Sequence, residues 1–398
     1  METDPPTIED AALDDPVAAH RTRGMIFLGL AVAAVGFGLH VQMGMNANFV
    51  GEEMKITAYQ QGVLEAYRES CGILALLVLA GLAGLAEPLV GAAMLVLTAV
   101  GLGAYAYVPS YFWLVAWSLV WSQGLHVWMP LPNSMALALA EPGRQGHRLG
   151  QIRAAGAVGS ALGLAVVLTL HKLGVHIRPL WLVAGAAVML GAAACLGIPR
   201  RIKTPGPRLV LRRKYALYYA LCLLEGWRKQ IFVAFAGYLL VTKYGVPLER
   251  MLILWIVIQA IGWVASPLVG RVIDRVGERP VLVFYYACLT CFFVGYAYVP
   301  NATVLQILFV VDCAFFVLVM ALTTYVSRIA PPAEHTPTLS MGVAMNHVSA
   351  VLMPLVGGLL WRHFGPRWAF LAGAAAAVIS IAVATLIPSK RAQREPGP

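Results

Sequence analysis

Charge is what this sequence has least of. Only 12% of its 398 residues are Asp, Glu, Lys or Arg, against about 25% in an ordinary soluble protein. With 60% hydrophobic residues and a mean hydropathy of +0.74, the chain has too little polar surface to cover a water-soluble fold. The ten-residue alternating segments of an outer-membrane barrel are missing as well. There is no G-x-x-x-x-G-K-[ST] run to cradle the phosphates of ATP, so a nucleotide-driven pump is not expected. Cysteine is scarce and badly placed for disulfides: Cys71, Cys195, Cys222, Cys288, Cys291 and Cys313 all fall in apolar stretches. Cys288 and Cys291 form a C-x-x-C pair in mid-stretch without further ligands, and read as helix packing. No cofactor and no metal is expected.

What the sequence does have is apolar runs of membrane-spanning length, one after another. They predict an all-α polytopic membrane protein with twelve spans, near 24–48, 58–86, 88–108, 110–138, 154–171, 179–198, 215–242, 247–269, 280–299, 302–327, 340–361 and 366–388. Residues 1–23 carry six acids and no apolar run, and read as a disordered cytoplasmic segment without a cleavable signal peptide. A basic linker, 199–214, separates a first six-helix half, 24–198, from a second, 215–388, and residues 389–398 form a tail.

Lys and Arg set the orientation. With both termini inside, the cytoplasmic segments hold 19 of the 29 basic residues, the opposite side, with Arg250 and Arg367 at span ends, 7, and the interior of the spans the remaining 3. That bias places the linker and both ends in the cytoplasm of a cell with an inner membrane. The net charge of +10 is thereby mostly topology. Its spread over loops on one membrane face argues against nucleic acid as a partner.

The two halves repeat with an offset of 190 residues. Gly36 meets Gly226, Gly72 meets Gly262, and Leu149 meets Leu339. Parallel six-span repeats with a site between them are a transporter architecture. Between spans 8 and 9 stands GRVIDRVGER, with Gly270, Asp274, Arg275, Gly277 and Arg279. It resembles the loop signature G-x-x-x-D-R-x-G-x-R of the major facilitator superfamily. The glycines are expected to let the helix end turn tightly, with Asp274 facing a neighbouring helix terminus as a cytoplasmic gate. The first-half counterpart, AGLAGLAEPL at 80–89, has Gly84 and Leu85 where the second half has Asp274 and Arg275.

The resemblance implies a central cavity lined by spans 1, 2, 4, 5, 7, 8, 10 and 11. Spans 3, 6 and 9, and span 12 from Trp368 onward, contain no Asp, Glu, Lys, Arg, His, Asn or Gln, as residues facing lipid should. The polar residues lie on the other spans: His40 on span 1, Glu65, Arg68 and Glu69 on span 2, Gln123 and His126 on span 4. Glu225, Arg228 and Lys229 lie on span 7, Asp312 on span 10 and His347 on span 11. Pro130 and Pro132 are expected to kink span 4. At about 2.5–3.5 kcal/mol each on insertion scales, these charges must pair, hydrate or neutralise. Spacings of three and four put each acid–base cluster on one helix face, so Glu65–Arg68 and Glu225–Lys229 are the expected neutralising pairs. Arg228 is the expected contact for an anionic group, because its planar fork can hold a carboxylate by two hydrogen bonds. A spare carboxylate, with Glu65 and Glu69 first in line, is expected to carry a coupling proton.

The resulting expectation is a monomeric secondary transporter. It moves a small organic, anionic solute by alternating access, coupled to protons, with efflux placed ahead of uptake. The alternatives are a membrane-embedded enzyme or sensor that keeps the fold, and a proton-independent facilitator or uptake carrier. An enzyme would need its polar residues at one membrane face, whereas here they lie at mid-depth.

Overall fold

The computed structural model describes residues 20–141, 143–204 and 211–388. Residues 1–19 of the segment expected to be disordered, the tail and the middle of the linker lie outside the described residues; Arg21–Arg23, placed in that segment by the sequence reading, are instead the first turn of a helix. The described chain is helical from end to end, in the order α1 (Arg21–Asn48), α2 (Ala58–Gly81), α3 (Glu87–Ala104), α4 (Tyr111–Trp128), α5 (Leu131–Ala138), α6 (Gln145–Lys172), α7 (Ile177–Cys195), α8 (Ala216–Thr242), α9 (Leu248–Val276), α10 (Glu278–Tyr298), α11 (Ala302–Phe315), α12 (Met320–Ile329), α13 (Pro332–Phe364) and α14 (Pro366–Ala384). Short 3-10 or π turns extend α1 and α3 and join α11 to α12.

Each expected span has its helix or helix pair. Among the described residues, nine helical segments are long and apolar enough to cross a membrane. The three that fall short of that apolarity are α2, the α4–α5 pair and α8. These are the segments that carry Glu65, Arg68 and Glu69, Gln123 and His126, and Glu225, Arg228 and Lys229. The polar residues themselves lower the hydropathy.

Three helices begin or end well beyond the apolar runs. α6 starts at Gln145 and α13 at Pro332, because Arg148, Arg153 and Glu334 are as compatible with helix as the residues inside the bilayer. α9 continues through the loop signature to Val276. Gly270 therefore lies inside a helix, and Gly277 alone makes the turn, at φ +86°, a conformation that favours glycine. Span 4 is interrupted at Met129–Pro130, between α4 and α5, where the prolines predicted a kink.

The chain packs as two compact units. The first gathers α1 as far as Gln42, Leu74–Val108, and the chain from Leu119 to the linker. Its helices meet at glycines. Cβ atoms at Gly36, Gly159 and Gly163 would strike the backbones of Gly156, Ala33 and Phe37, so α1 and α6 touch main chain to main chain. The linker also belongs here. Gly84 N–H donates to Thr204 O at 3.0 Å, Thr204 N–H to Leu85 O at 2.9 Å, and Glu87 N–H to Ile202 O at 2.8 Å. The first-half loop that lacks Asp and Arg is thus held by backbone pairing. Glu87, left outside span 3 by the sequence reading, opens α3 fully buried and accepts from the Ser134 hydroxyl at 3.1 Å.

The second unit gathers Met43–Ile73, Pro109–Ser118 and everything from α8 onward. Here the end of α1 and the connection to α2 dock on α8 and the loop that follows it. Asn48 Nδ2 donates to Val246 O at 3.0 Å, and Tyr238 Oη donates to Ile56 O at 2.6 Å. α13 crosses α2 and α8 at glycines too: a Cβ on Gly62 would strike the Pro354 carbonyl, and one on Gly226 the Asn346 carbonyl. Two aromatic cores fill the unit. One holds Phe232, Phe235, Phe293, Tyr296, Phe309 and Phe370. The other is rich in tyrosine, with Tyr215, Tyr218, Tyr219, Tyr285, Tyr286 and Tyr325.

Candidate functional site

Along α8 the tyrosine-rich core takes residues up to Cys222 and the phenylalanine-rich core begins at Ile231. Glu225 and Arg228 occupy the layer between them, both buried. Their spacing of three residues puts them on one helix face, and Arg228 Nη2 donates to Glu225 Oε1. The same Nη2 donates to the Tyr285 hydroxyl on α10 at 2.7 Å, and that hydroxyl donates to Glu225 Oε1 at 3.1 Å. From α11, Asp312 brings Oδ1 to 3.7 Å from Arg228 Nη1. The ring of Phe316 lies 4.8 Å from the guanidinium carbon, within range of a cation–π contact. Arg228 and Asp312 are both 0% exposed. Two carboxylates, one guanidinium and a phenol thus share a buried layer between aromatic cores.

This is not the pairing expected of α8. Lys229 is half-buried one residue further on, and among the described residues it has no ion-pair or hydrogen-bond partner. Spacing alone allowed Glu225 either base. The structure selects Arg228 because Tyr285 and Asp312 lie on that side of the helix, while Lys229 projects about 100° further round it.

The α2 cluster resolves differently. Arg68 Nη1 donates to Glu65 Oε1 at 2.6 Å, as its spacing predicted. The same oxygen accepts from Gln61 Nε2 at 3.2 Å, and Gln61 Nε2 also reaches Ala234 O on α8 at 3.2 Å. Glu69 turns instead to α13, where its Oε2 lies 3.0 Å from His347 Nδ1. Gly72 makes that approach possible, since a Cβ there would overlap the imidazole. Glu69 and His347 keep 15% and 12% of their side-chain surface exposed, so this pair is accessible where the Arg228 cluster is not. Asn346 Nδ2 and Ser349 Oγ fasten the same stretch of α13 to the carbonyls of Cys222 and Leu223, at 3.3 and 2.5 Å.

In the first unit, His40 Nδ1 lies 3.1 Å from Gly36 O, and His126 Nδ1 lies 2.8 Å from Ser122 O and 3.1 Å from Ser122 Oγ. Both imidazoles thereby contact their own helix one turn back. Gln123 is half-buried on the same helix as His126.

At the ends of the helices, Asp274 and Arg275 are exposed. The buried acid of that turn is Glu278, whose Oε1 takes Arg328 Nη2 at 2.5 Å. The exit of the linker is held by one carboxylate. Glu334 accepts from the Tyr215 hydroxyl at 2.5 Å and pairs with Arg212 at 2.8 Å and Lys214 at 3.0 Å. Tyr215 and Glu334 hold the Lys214 ammonium above the usual lysine range. Arg148, 2.8 Å away, holds Glu141 below the usual carboxylate range by hydrogen bonding.

Tyr285, Phe316, Gln61, Glu278 and Glu334 were not singled out from sequence. Tyr285 sits on a span without a charged residue, and a tyrosine in an apolar helix gives no sign of which way its hydroxyl points. Glu278 and Glu334 lie outside the apolar runs, where an acid is unremarked.

The family model described as the Major Facilitator Superfamily matches residues 26–339. No curated protein matches the chain in sequence. Among solved structures, a mutant form of the nucleoside transporter NupG superposes with a TM-score of 0.76 at 16% identity, covering 91% of this chain and 99% of that one. A bacterial homologue of the human lysosomal transporter Spinster, inward-facing and unoccupied, gives 0.70 at 13%, covering 92% and 97%. A D-xylose–proton symporter gives 0.68 at 13%, covering 92% and 98%. At these identities the likeness is one of fold.

Proposed function

This chain belongs to the Major Facilitator Superfamily, and on that premise we propose that it is a proton-coupled carrier of a small organic anion that works by alternating access. It is a multi-pass membrane transporter and not an enzyme. The finer reading rests on one observation, the Glu69–His347 contact at 3.0 Å. It joins a helix of the first sequence half to one of the second, on titratable side chains that remain partly accessible. Parting α2 from α13 requires this contact to break. Protonation of Glu69 takes the charge off the carboxylate that holds His347 and weakens the contact, which couples the proton to the movement.

The solute's negative group is assigned to Lys229 in place of Arg228. Arg228 is committed to Glu225 and Tyr285, whereas Lys229 has no partner among the described residues, in a helix otherwise neutralised. His40, Gln123 and His126 are further candidates for solute contact, and Glu65–Arg68 is the structural pair of α2. The six-helix halves 24–198 and 215–388 are proposed as the moving bodies, with α2, α4–α5 and α8 crossing the membrane beside the nine apolar segments. Asp274, Arg275 and Arg279 are proposed as the cytoplasmic gate, turned by Gly277. The inner-membrane location and cytoplasmic termini rest on the distribution of Lys and Arg.

The test is uptake by proteoliposomes across a panel of small organic anions and their neutral analogues, with and without an imposed pH gradient. Anions should accumulate only with the gradient, and its required direction reads out efflux or uptake. Glu69→Gln and His347→Gln should lose accumulation while retaining exchange. Lys229→Gln should raise KM at least tenfold with protein levels intact. Accumulation that ignores the gradient would leave a facilitator. Equal transport of neutral analogues by the wild type and by Lys229→Gln would remove the anion contact.

A further inference from the structure

The layer between the two aromatic cores holds one more acid than base. Glu225 and Asp312 face the single guanidinium of Arg228, and all three are buried. Other groups that face Asp312 are the hydroxyls of Tyr285 and Tyr296 from α10 and the thiol of Cys313 beside it. None of these brings positive charge. If both acids were ionised, the layer would carry one uncompensated negative charge, which costs several kcal/mol in a buried site. One proton is therefore retained.

The hydrogen bonds say where it resides. Glu225 Oε1 accepts from both Arg228 Nη2 and the Tyr285 hydroxyl, and a carboxylate that accepts two donors is held in its charged form. Neither oxygen of Asp312 has a hydrogen-bond partner among the described residues. Arg228 Nη1 stands 3.7 Å off, at ion-pair range but beyond a hydrogen bond. An acid without donors takes up the proton.

We infer that Asp312 is a proton-binding site, and that its proton determines which carboxylate Arg228 serves. This deepens the proton-coupled reading above and rests on it for its role in transport. When the proton leaves, Asp312–COOH becomes Asp312–COO⁻ and H⁺ passes to solution, while the guanidinium keeps its charge. Arg228 Nε and Nη1, which have no hydrogen-bond partner, then have a new acceptor. Closing 3.7 Å to a charge-assisted hydrogen bond takes a movement of about 1 Å. Asp312 lies on the last turn of α11, and Phe316, which covers the guanidinium, opens the 3-10 turn that joins α11 to α12. A 3-10 stretch inside a helix often marks a hinge. The proton would thus be read out as a bend between α11 and α12.

Infrared spectroscopy of the purified protein at neutral pH tests this without any solute. Asp312 is the one buried aspartate among the described residues, and exposed aspartates, with a pKa of about 3.9, are ionised there. A protonated-carboxyl C=O absorption is expected that shifts when aspartate is labelled with ¹³C at its side-chain carboxyl. It should amount to one carboxyl per chain, vanish in Asp312→Asn and fade at alkaline pH. Glu225→Gln should abolish it too, because Arg228 then has Asp312 as its only acid and the layer balances with Asp312 ionised. The labelled wild-type protein decides the matter even if Asp312→Asn does not fold. Absence of a label-sensitive acid band, or its persistence in folded Asp312→Asn, overturns the assignment. Persistence in Glu225→Gln overturns the charge balance behind it. A transporter that proved indifferent to the pH gradient would lose the coupled reading above and leave this spectrum unchanged.

Discussion

Replacing Arg228 should cost far more stability than replacing Lys229, although the two are adjacent on a membrane helix and carry the same charge. Arg228 is 0% exposed and serves Glu225, itself 3% exposed. Arg228→Met removes the guanidinium and leaves the Glu225 carboxylate buried with only the Tyr285 hydroxyl, 3.1 Å away. Breaking a buried pair from one side costs about 3–5 kcal/mol. At about 2–4 °C per kcal/mol for a large domain, that corresponds to a fall in Tm of roughly 6–20 °C. Lys229→Met strands no acid and should cost under about 1 kcal/mol, as for a substitution that breaks no buried pair. Glu225→Gln combined with Arg228→Met should recover much of the loss, since no charge is then stranded. Thermal unfolding in detergent micelles can be followed with a dye that fluoresces on reacting with thiols, because Cys71, Cys195 and Cys222 are buried until the fold opens. A fall in Lys229→Met as large as that in Arg228→Met would refute the assignment of Glu225 to Arg228. So would a double variant less stable than Arg228→Met alone.

Other outcomes follow from single contacts. Gly159→Val should cost more than the 1–3 kcal/mol usual for overpacking, because its Cβ would collide with the Ala33 backbone and not with a movable side chain; a drop in folded yield on size exclusion checks this. Glu334→Gln releases Arg212, Lys214 and Tyr215 together. Trypsin should then cut at Arg212 or Lys214 several-fold faster, with little change in Tm because both basic side chains are about half exposed. A cysteine placed at 174 should be labelled only from outside the cell and one at 206 only from the cytoplasm; labelling of 206 from outside would contradict the orientation drawn from Lys and Arg.

The sequence by itself determined the class of the protein and the helices that carry its intramembrane charges. Hydropathy finds the spans because a bilayer satisfies no backbone polar group, so each crossing must be helical or nearly so. The same rule confines charge to protected faces, which is why Glu65, Arg68, Glu69, Glu225, Arg228, Lys229, Asp312 and His347 were visible as a set. Gly277 was legible for a local reason, a turn at positive φ. Gly270 misled, because a glycine that opens a loop signature reads as a bend, and here the helix continues past it to Val276. The starts of α6 and α13 were missed because hydropathy sees the membrane and not the helix beyond it.

Only the tertiary structure decided who partners whom. Helical spacing put both Arg228 and Lys229 within reach of Glu225, and the base expected from sequence, Lys229, is not the one it pairs with. The choice was made by Tyr285 and Asp312, which lie 57 and 84 residues away along the chain from Arg228 and reach it from α10 and α11. The Glu69–His347 contact spans 278 residues and depends on the absence of a side chain at Gly72. Pairings of this kind are set by how helices cross, and a crossing is fixed by packing between surfaces that no local stretch of sequence contains.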